Sequence, residues 1–332
     1  MRIATYNVEW FNTLFNDSGD LIDNNSWSGR WDVTKAEQTA ALGVVFAAMD
    51  ADAVMIIEAP DTSRNRDAHR ALERFANRFK LRAREALTGF INDTQQEIAL
   101  LYDPDMMDAR HDPQGSDVAP RFDMSFSLDV DTDAHPDPIV WSKPPLEVAV
   151  SSGRSKLRMI GVHAKSKAPH GARDKEEATR IAIQNRRKQL AQCIWLRRRV
   201  SEVLAAGDDL MVMGDFNDGP GLDEYEKLFG RSGVEIVLGN GEDTTLFDPH
   251  ARMALGQRIA ATPTTARFKR EDGSYLEALL DYIMVSPKLR AKRPKWQIWH
   301  PFDHPTCYRD PALRDALLLA SDHFPVILDI DL

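Results

Sequence analysis

The sequence predicts an α/β protein in which two packed β-sheets carry helices on their outer faces. Short apolar runs alternate with helix-length amphipathic segments, yet several of the runs follow one another directly across a turn. That mixture points to two mixed sheets with helices outside, not to one purely parallel sheet. At 332 residues, with 43% hydrophobic and 8% aromatic residues, the chain reads as a soluble globular protein with a sizeable core. No repeat, low-complexity linker or composition break divides it, so a single domain over residues 1–332 is expected.

Arg2 to about Val8 is the first strand and delivers Asn7 and Glu9 at its carboxyl end. Two apart in extended chain, they share a side. Residues 12–32 follow as a polar segment in which Trp27 and Trp31 are expected to anchor the loop. Thr34-Lys35-Ala36-Glu37 has capping-box spacing and opens an Ala-rich helix to about Met49. Ala53 to Ile57 is a buried strand that ends on Glu58. Arg64 to Phe79 is an amphipathic helix with Leu72, Phe75 and Phe79 at core spacing.

Glu97 to Tyr102 is another strand, and Met106 to Pro138, rich in Asp and Pro, predicts excursions and weak strands. Pro145–Val150 and Leu157–Val162 are consecutive strands around Ser151-Ser152-Gly153, the second ending on His163. A long helix from about Glu176 to Ala205 comes next. A short helix near Leu222–Phe229 and an irregular region to about Gly273 follow residue 215. Leu279–Val285 reads as a strand with Asp281 in mid-run, where an acid needs a partner. Asp310–Ala320 is a helix, and Val326–Leu332 closes the chain as a strand.

The stretch from Leu210 to Pro220 is the centre of this pattern. Leu210-Met211-Val212-Met213 is a buried strand that stops at Gly214, and Gly219-Pro220-Gly221 marks a loop. Asp215 and Asn217 point to the same side. The first can orient or deprotonate a water, and the second can donate to a phosphate oxygen without repelling it. An acceptor beside a donor at a strand end suits attack of water on phosphorus, although both residue types also serve as ordinary turn residues.

The net charge of −9 gives no overall attraction for nucleic acid or anionic membrane, but local charge decides such contacts. From His163 to Arg199 there are eleven Lys/Arg and three Asp/Glu, a local +8. Such runs usually solvate a helix face. Lys165, Lys167 and Arg173 precede the helix, and there they are candidates for binding an anionic substrate, nucleic acid included. No run approaches the ~18 apolar residues of a membrane span. Two distant cysteines and a start without a signal-peptide pattern make a reducing cytoplasm the expected location.

The strand-end polar residues are Asn7, Glu9, Glu58, His163, Asp215, Asn217, Asp281, Asp322 and His323. Clustered carboxylates repel unless a cation joins them, and oxygen ligands select Mg²⁺ or Mn²⁺ over zinc. With histidines beside acids, the set has the parts for metal-assisted phosphate-ester hydrolysis.

Thr5-Tyr6-Asn7-Val8-Glu9, Ile56-Ile57-Glu58, Val162-His163, Gly214-Asp215-Phe216-Asn217, Leu280-Asp281-Tyr282-Ile283 and Ser321-Asp322-His323-Phe324-Pro325 together resemble the endonuclease/exonuclease/phosphatase superfamily. That group includes pancreatic deoxyribonuclease, apurinic-site endonucleases, sphingomyelinases and inositol polyphosphate 5-phosphatases. The resemblance implies a four-layer sandwich of two packed mixed sheets flanked by helices, with the site at one end. It also implies that Glu58 is the principal Mg²⁺ ligand, with Asn7, Glu9 and Asp322 helping to hold the metal. By the same resemblance Asp215 activates the water, and Asn217 and His163 contact the phosphate. His323 then stabilises developing charge with Asp281 fixing its ring. Glu9 stands where many members have Asp, and Lys143-Pro144-Pro145 where an Arg often precedes the prolines. The expectation is a Mg²⁺-dependent phosphodiesterase, foremost a nuclease. The alternatives are a hydrolase of small or lipid phosphoesters and a non-catalytic binding member, the latter disfavoured by the intact acid, amide and histidine set.

Overall fold

A computed structural model of the chain describes residues 1–128, 137–169, 171–219, 230–241, 244–256, 262–270 and 272–332. In chain order the strands are β1 (Arg2–Asn7), β2 (Ala53–Pro60), β3 (Glu85–Thr88), β4 (Gln96–Tyr102), β5 (Asp108–His111), β6 (Phe126–Leu128) and β7 (Asp137–Ile139). They continue with β8 (Leu146–Ser152), β9 (Ser155–His163), β10 (Leu210–Asp215), β11 (Ala266–Lys269), β12 (Tyr275–Ala278), β13 (Asp281–Val285), β14 (Lys295–Ile298) and β15 (Val326–Asp329). The helices are α1 (Lys35–Met49), α2 (Ala68–Phe79), α3 (Lys175–Ala205), α4 (Gly233–Leu238), α5 (Pro249–Leu255), α6 (Pro287–Ala291), α7 (Pro305–Arg309) and α8 (Pro311–Ala320).

Two sheets dominate, ordered β14-β15-β1-β2-β4-β3 and β13-β10-β9-β8-β5. Both are mixed: β1 runs parallel to β2 and β9 parallel to β10, whereas their other pairings are antiparallel. Side-chain alternation along the strands builds the layers. Met55 and Ile57 of β2 and Met211 and Met213 of β10 point into the core between the sheets. Val54 and Ile56 face outward against α1, α2 and α8, through Leu42, Phe46, Phe75 and Leu317. Leu210 and Val212 face outward against α3, through Leu196 and Val200. The result is the expected four-layer α/β sandwich.

Local chemistry explains most element ends. Thr34 and Glu37 form the full capping box of α1. The α2 helix begins at Ala68 rather than Arg64, because the Asp67 carboxylate caps it by accepting from the Arg70 backbone N–H. Asp310 likewise caps α8. The expected irregular region up to Gly273 contains α4, α5 and β11, and the expected helix near Leu222–Phe229 lies outside the described residues. Asp281 is the first residue of β13, not a mid-strand one. Trp27 and Trp31 are 65% and 81% exposed and therefore do not anchor their loop by burial.

Register places the chemistry at one edge. Asp215 pairs with His163 on one side and with Asp281 on the other, so β9, β10 and β13 present the three in a row. Asn7 ends β1, and Glu58 sits on β2 at a bulge between Ile57 and Ala59. Residues 321–323 lead into β15, antiparallel to β1, and so arrive at the same edge.

Candidate active site

The cleft at this edge has a volume of about 960 Å³. Asn7, Glu9, Glu58, His163, Asp215, Asn217, Asp322 and His323 all line it, with Lys167 at its rim and Phe268, Leu276, Ala278 and Leu280 as an apolar wall.

Asp215 is almost completely buried, at 1% exposure. Its Oδ2 accepts from Asn7 Nδ2 and Asn217 Nδ2, both at 3.0 Å, and its Oδ1 accepts from the Asn217 backbone N–H at 2.7 Å. Asn217 Nδ2 also donates to Ala164 O at 3.1 Å. Both amide hydrogens of Asn217 are thus engaged, one holding Asp215 and the other tying the turn to Ala164. Asn217 adopts a left-handed backbone (φ 48°), which lets one residue turn back onto the carboxylate. Burial pushes the Asp215 carboxyl up to about 7, with Asp281 adding to the shift.

Asp281 Oδ2 accepts from His323 Nδ1 at 2.8 Å and from Thr265 Oγ1 at 2.8 Å. The Thr265 hydroxyl in turn accepts from the Leu280 and Asp281 backbone N–H groups, both at 3.0 Å. Its single proton is therefore committed to Asp281. Burial opposes charge on His323, but the carboxylate of Asp281 outweighs it and holds the imidazole well above the ordinary histidine value. A doubly protonated ring bonded to Asp281 through Nδ1 keeps Nε2–H as a donor. Ligand atoms of Asp215, Asp281 and His323 lie within 4.8 Å of one another, close enough to hold a cation.

His163 behaves in the opposite way. Burial, with Lys143 adding to it, keeps its ring well below the ordinary histidine value and hence neutral. Lys143 Nζ lies 3.2 Å from His163 Nδ1. An ammonium only donates, so Nδ1 accepts and the ring proton sits on Nε2. Lys143 also donates to Gln96 Oε1 at 2.6 Å, and Gln96 Nε2 donates to Glu58 Oε2 at 2.7 Å. Glu58 is a left-handed non-glycine residue (φ 63°), a costly conformation that the bulge imposes and that turns the residue toward the cleft. Burial raises its carboxyl above the ordinary value, opposed by Lys143.

The remaining expected residues divide. Among the described residues, Asn7 Oδ1 and Asp322 Oδ1 are buried without a hydrogen-bond partner. Glu9 is instead engaged through both oxygens, by Trp10 Nε1 at 3.1 Å and by the Arg30 guanidinium. Burial and Asp322 push its carboxyl up to about 7 despite Arg30. Lys167 Nζ pairs with the buried Asp218 at 2.7 Å, and Arg186 Nη1 meets the same carboxylate at 2.8 Å. Arg173 is 85% exposed, pairs with Glu177, and lies outside the cleft lining. Lys165 is half-buried and its backbone N–H is bound by Gln192. Sequence reasoning missed Gln96, Arg30 and Thr265. Thr265 sits in a stretch read as irregular, and neither glutamine nor arginine there carries a positional signal.

A family profile described as the Endonuclease/Exonuclease/phosphatase family matches residues 4–323. Among solved structures, truncated TDP2 of Caenorhabditis elegans is similar over 98% of this chain and 96% of its own, with TM-score 0.52 and 14% identity. Danio rerio TDP2 complexed with a single-strand DNA product aligns over 100% and 99% with TM-score 0.51 and 12% identity. The mannosyl-6-phosphatase Bt3783 of Bacteroides thetaiotaomicron aligns over 100% of both chains at TM-score 0.49 and 14% identity. At such identities the likeness concerns the fold alone. No curated relative matches the sequence significantly. With nearly its whole length matched by the profile, the chain belongs to the Endonuclease/Exonuclease/phosphatase family.

Proposed function

We propose that the chain is a Mg²⁺- or Mn²⁺-dependent phosphodiester hydrolase, foremost a nuclease acting on DNA or RNA backbone through in-line attack of an activated water. The observation that carries this reading is the pairing, across one cleft, of the Asn-held Asp215 with the Asp281-held His323. Asp215 accepts the proton of the attacking water, and Asn7 and Asn217 fix its Oδ2. His323 and His163 offer Nε2–H donors to non-bridging oxygens, one from a cationic ring and one from a neutral ring. The His323–Asp281 bond favours reading the Asp215, Asp281 and His323 group as proton-handling machinery. The cation then falls to Glu58, turned toward the cleft, with Asn7 and Asp322, whose Oδ1 atoms have no partner among the described residues and suit a hard ion. When bound, it supplies charge neutralisation at the phosphate. Glu9 fits less well as a ligand, since the Arg30 guanidinium already neutralises it.

A second substrate class has its own support. The apolar wall of Phe268, Leu276, Ala278 and Leu280 and the internal pairing of Lys167 and Arg173 suit a small or lipid phosphoester. A hydrolysis screen over plasmid, single-stranded DNA, RNA, bis-p-nitrophenyl phosphate and p-nitrophenyl phosphate, with and without chelator, tests both. The nuclease reading expects cutting of a polymer and of the diester, lost in chelator and restored by Mg²⁺ or Mn²⁺. Turnover of the aryl phosphates alone favours the second class, and full activity in excess chelator overturns the metal requirement.

A further inference from the structure

Three glutamines on the outer helices share a property that helix-core positions rarely have. Gln38 on α1 and Gln189 on α3 are 0% exposed, and Gln192 on α3 is 2% exposed. A buried amide is costly unless bonded, and an apolar residue is the ordinary occupant of such a position. Each amide bonds to backbone in the loops that carry the site. Gln38 Nε2 donates to Glu9 O at 2.8 Å and to Ala320 O at 3.0 Å. It therefore ties the end of the β1 segment to the residue just before Ser321-Asp322-His323. Gln189 Nε2 donates to Phe216 O at 3.0 Å and Asn217 O at 2.8 Å, the turn that folds Asn217 onto Asp215. Gln192, one turn along, accepts from the Lys165 backbone N–H at 2.9 Å and donates to Val140 O at 3.2 Å. It holds the segment that leaves His163.

The orientation of these amides is fixed by their partners. Two converging carbonyls accept only from an NH₂ group, so Gln38 and Gln189 cannot flip without placing oxygen against oxygen. Gln189 Oε1 is occupied in turn by Arg186 Nη1 at 2.7 Å, and that guanidinium also binds Asp218.

We infer that Gln38, Gln189 and Gln192 are positioning residues: carbonyl clamps through which the rigid outer helices set the geometry of the site loops. Gln38 serves the metal side and Gln189 the water-activating side. None of the three lines the cleft, so their influence is indirect. The inference rests on the proposed hydrolase reading, and its test separates the two.

Methionine matches glutamine in length and removes the donors. In Gln189→Met, a shift of the Asn217 turn by about 1 Å costs on the order of 10²-fold in kcat at saturating Mn²⁺, with Mn²⁺ affinity unchanged. In Gln38→Met, Mn²⁺ affinity read by calorimetry falls roughly 10–100-fold, as for supporting partners of metal ligands, while kcat at saturating Mn²⁺ stays within a few-fold. This crossed pattern is the expected result on bis-p-nitrophenyl phosphate. Parallel loss of kcat and Mn²⁺ affinity in both variants, tracking a common fall in Tm, overturns the clamp and leaves only a stability role. Unchanged kcat and affinity overturn it equally. If either methionine variant fails to fold, the leucine variant at the same position replaces it. A wild-type protein that hydrolyses no phosphoester refutes the proposed function, while calorimetry still reports on Gln38.

Discussion

Asp215 and His323 carry opposite protonation demands at the residue scale, and their surroundings meet both. Burial keeps Asp215 basic enough to take a proton near pH 7, and Asp281 keeps His323 charged. If Asp215 handles the water and His323 the phosphate charge, Asp215→Ala and His323→Ala each lower kcat by ~10²–10⁴. Steady-state kinetics on a small diester checks this, with circular dichroism to verify that both variants fold. The double variant loses much less than the product of the two effects if the pair acts as one unit. Near-normal kcat in His323→Ala contradicts the assignment. These residues were legible in the sequence because each sits where an apolar run breaks on a polar group. Gln96 and Arg30 were not, because their roles come from contacts across 38 and 21 residues of chain. Asn217 was legible as a polar partner, but its commitment to Asp215 instead of free solvent depends on its left-handed turn.

At the scale of elements, two strands show how the backbone delivers the site. Gly214 has φ 131°, and a Cβ there would stand 2.1 Å from Val162 O on the neighbouring β9. Gly214→Ala forces the parallel pair apart next to Asp215. Its backbone strain alone costs roughly 1–3 kcal/mol, to be read as a lowered denaturation midpoint together with lost activity. On β4, Glu97 faces the bulge that turns Glu58, and its Oε1 accepts from Thr62 N–H at 2.9 Å. Burial raises its carboxyl from 4.5 to about 7. Between those values the folded state holds a proton that the unfolded chain has released, so this group's contribution to stability falls as pH rises through that window. Glu97→Gln keeps the bond to Thr62 and removes the titration. Urea midpoints at pH 5 and pH 8 should converge in the variant relative to wild type, and an unchanged pH dependence refutes the role. Strands with strong apolar runs and α1 with its capping box were readable from sequence. Strands β3, β11, β12 and β14 were not, because each is only four residues long and partly exposed, too short to show an apolar run.

On the scale of the whole molecule, the distribution of charge decides how the protein meets a polymer. The sequence left the +8 stretch open between a solvated helix face and, at Lys165, Lys167 and Arg173, contacts to an anionic substrate, and the fold pairs part of it internally. Arg186 is held by Asp218, Arg199 by Glu147 and Glu202, and Arg197 by the carbonyls of Val237, Leu238 and Thr244. Charge content is visible in a sequence, whereas its partners depend on how α3 packs against β8, α4 and the site loop. With Lys167 paired to Asp218 and Arg173 to Glu177, a protein of net −9 gains little from counterion release through these two side chains. Each phosphate contact contributes roughly 0.7–0.9 log units of affinity per log unit of salt. Binding of a labelled oligonucleotide to Asp215→Ala in Ca²⁺ should therefore show a slope of about one or less, not the two to three that Lys165, Lys167 and Arg173 together would give. Arg173→Ala should change neither affinity nor slope, because its side chain stands outside the cleft beside Glu177. Lys167→Ala should lower stability more than it lowers the slope, since it removes one of the cations facing buried Asp218. A slope near three that drops by about one in Arg173→Ala would restore Lys165, Lys167 and Arg173 as phosphate contacts. Should no oligonucleotide bind even at low ionic strength, the apolar wall of the cleft becomes the better guide to substrate.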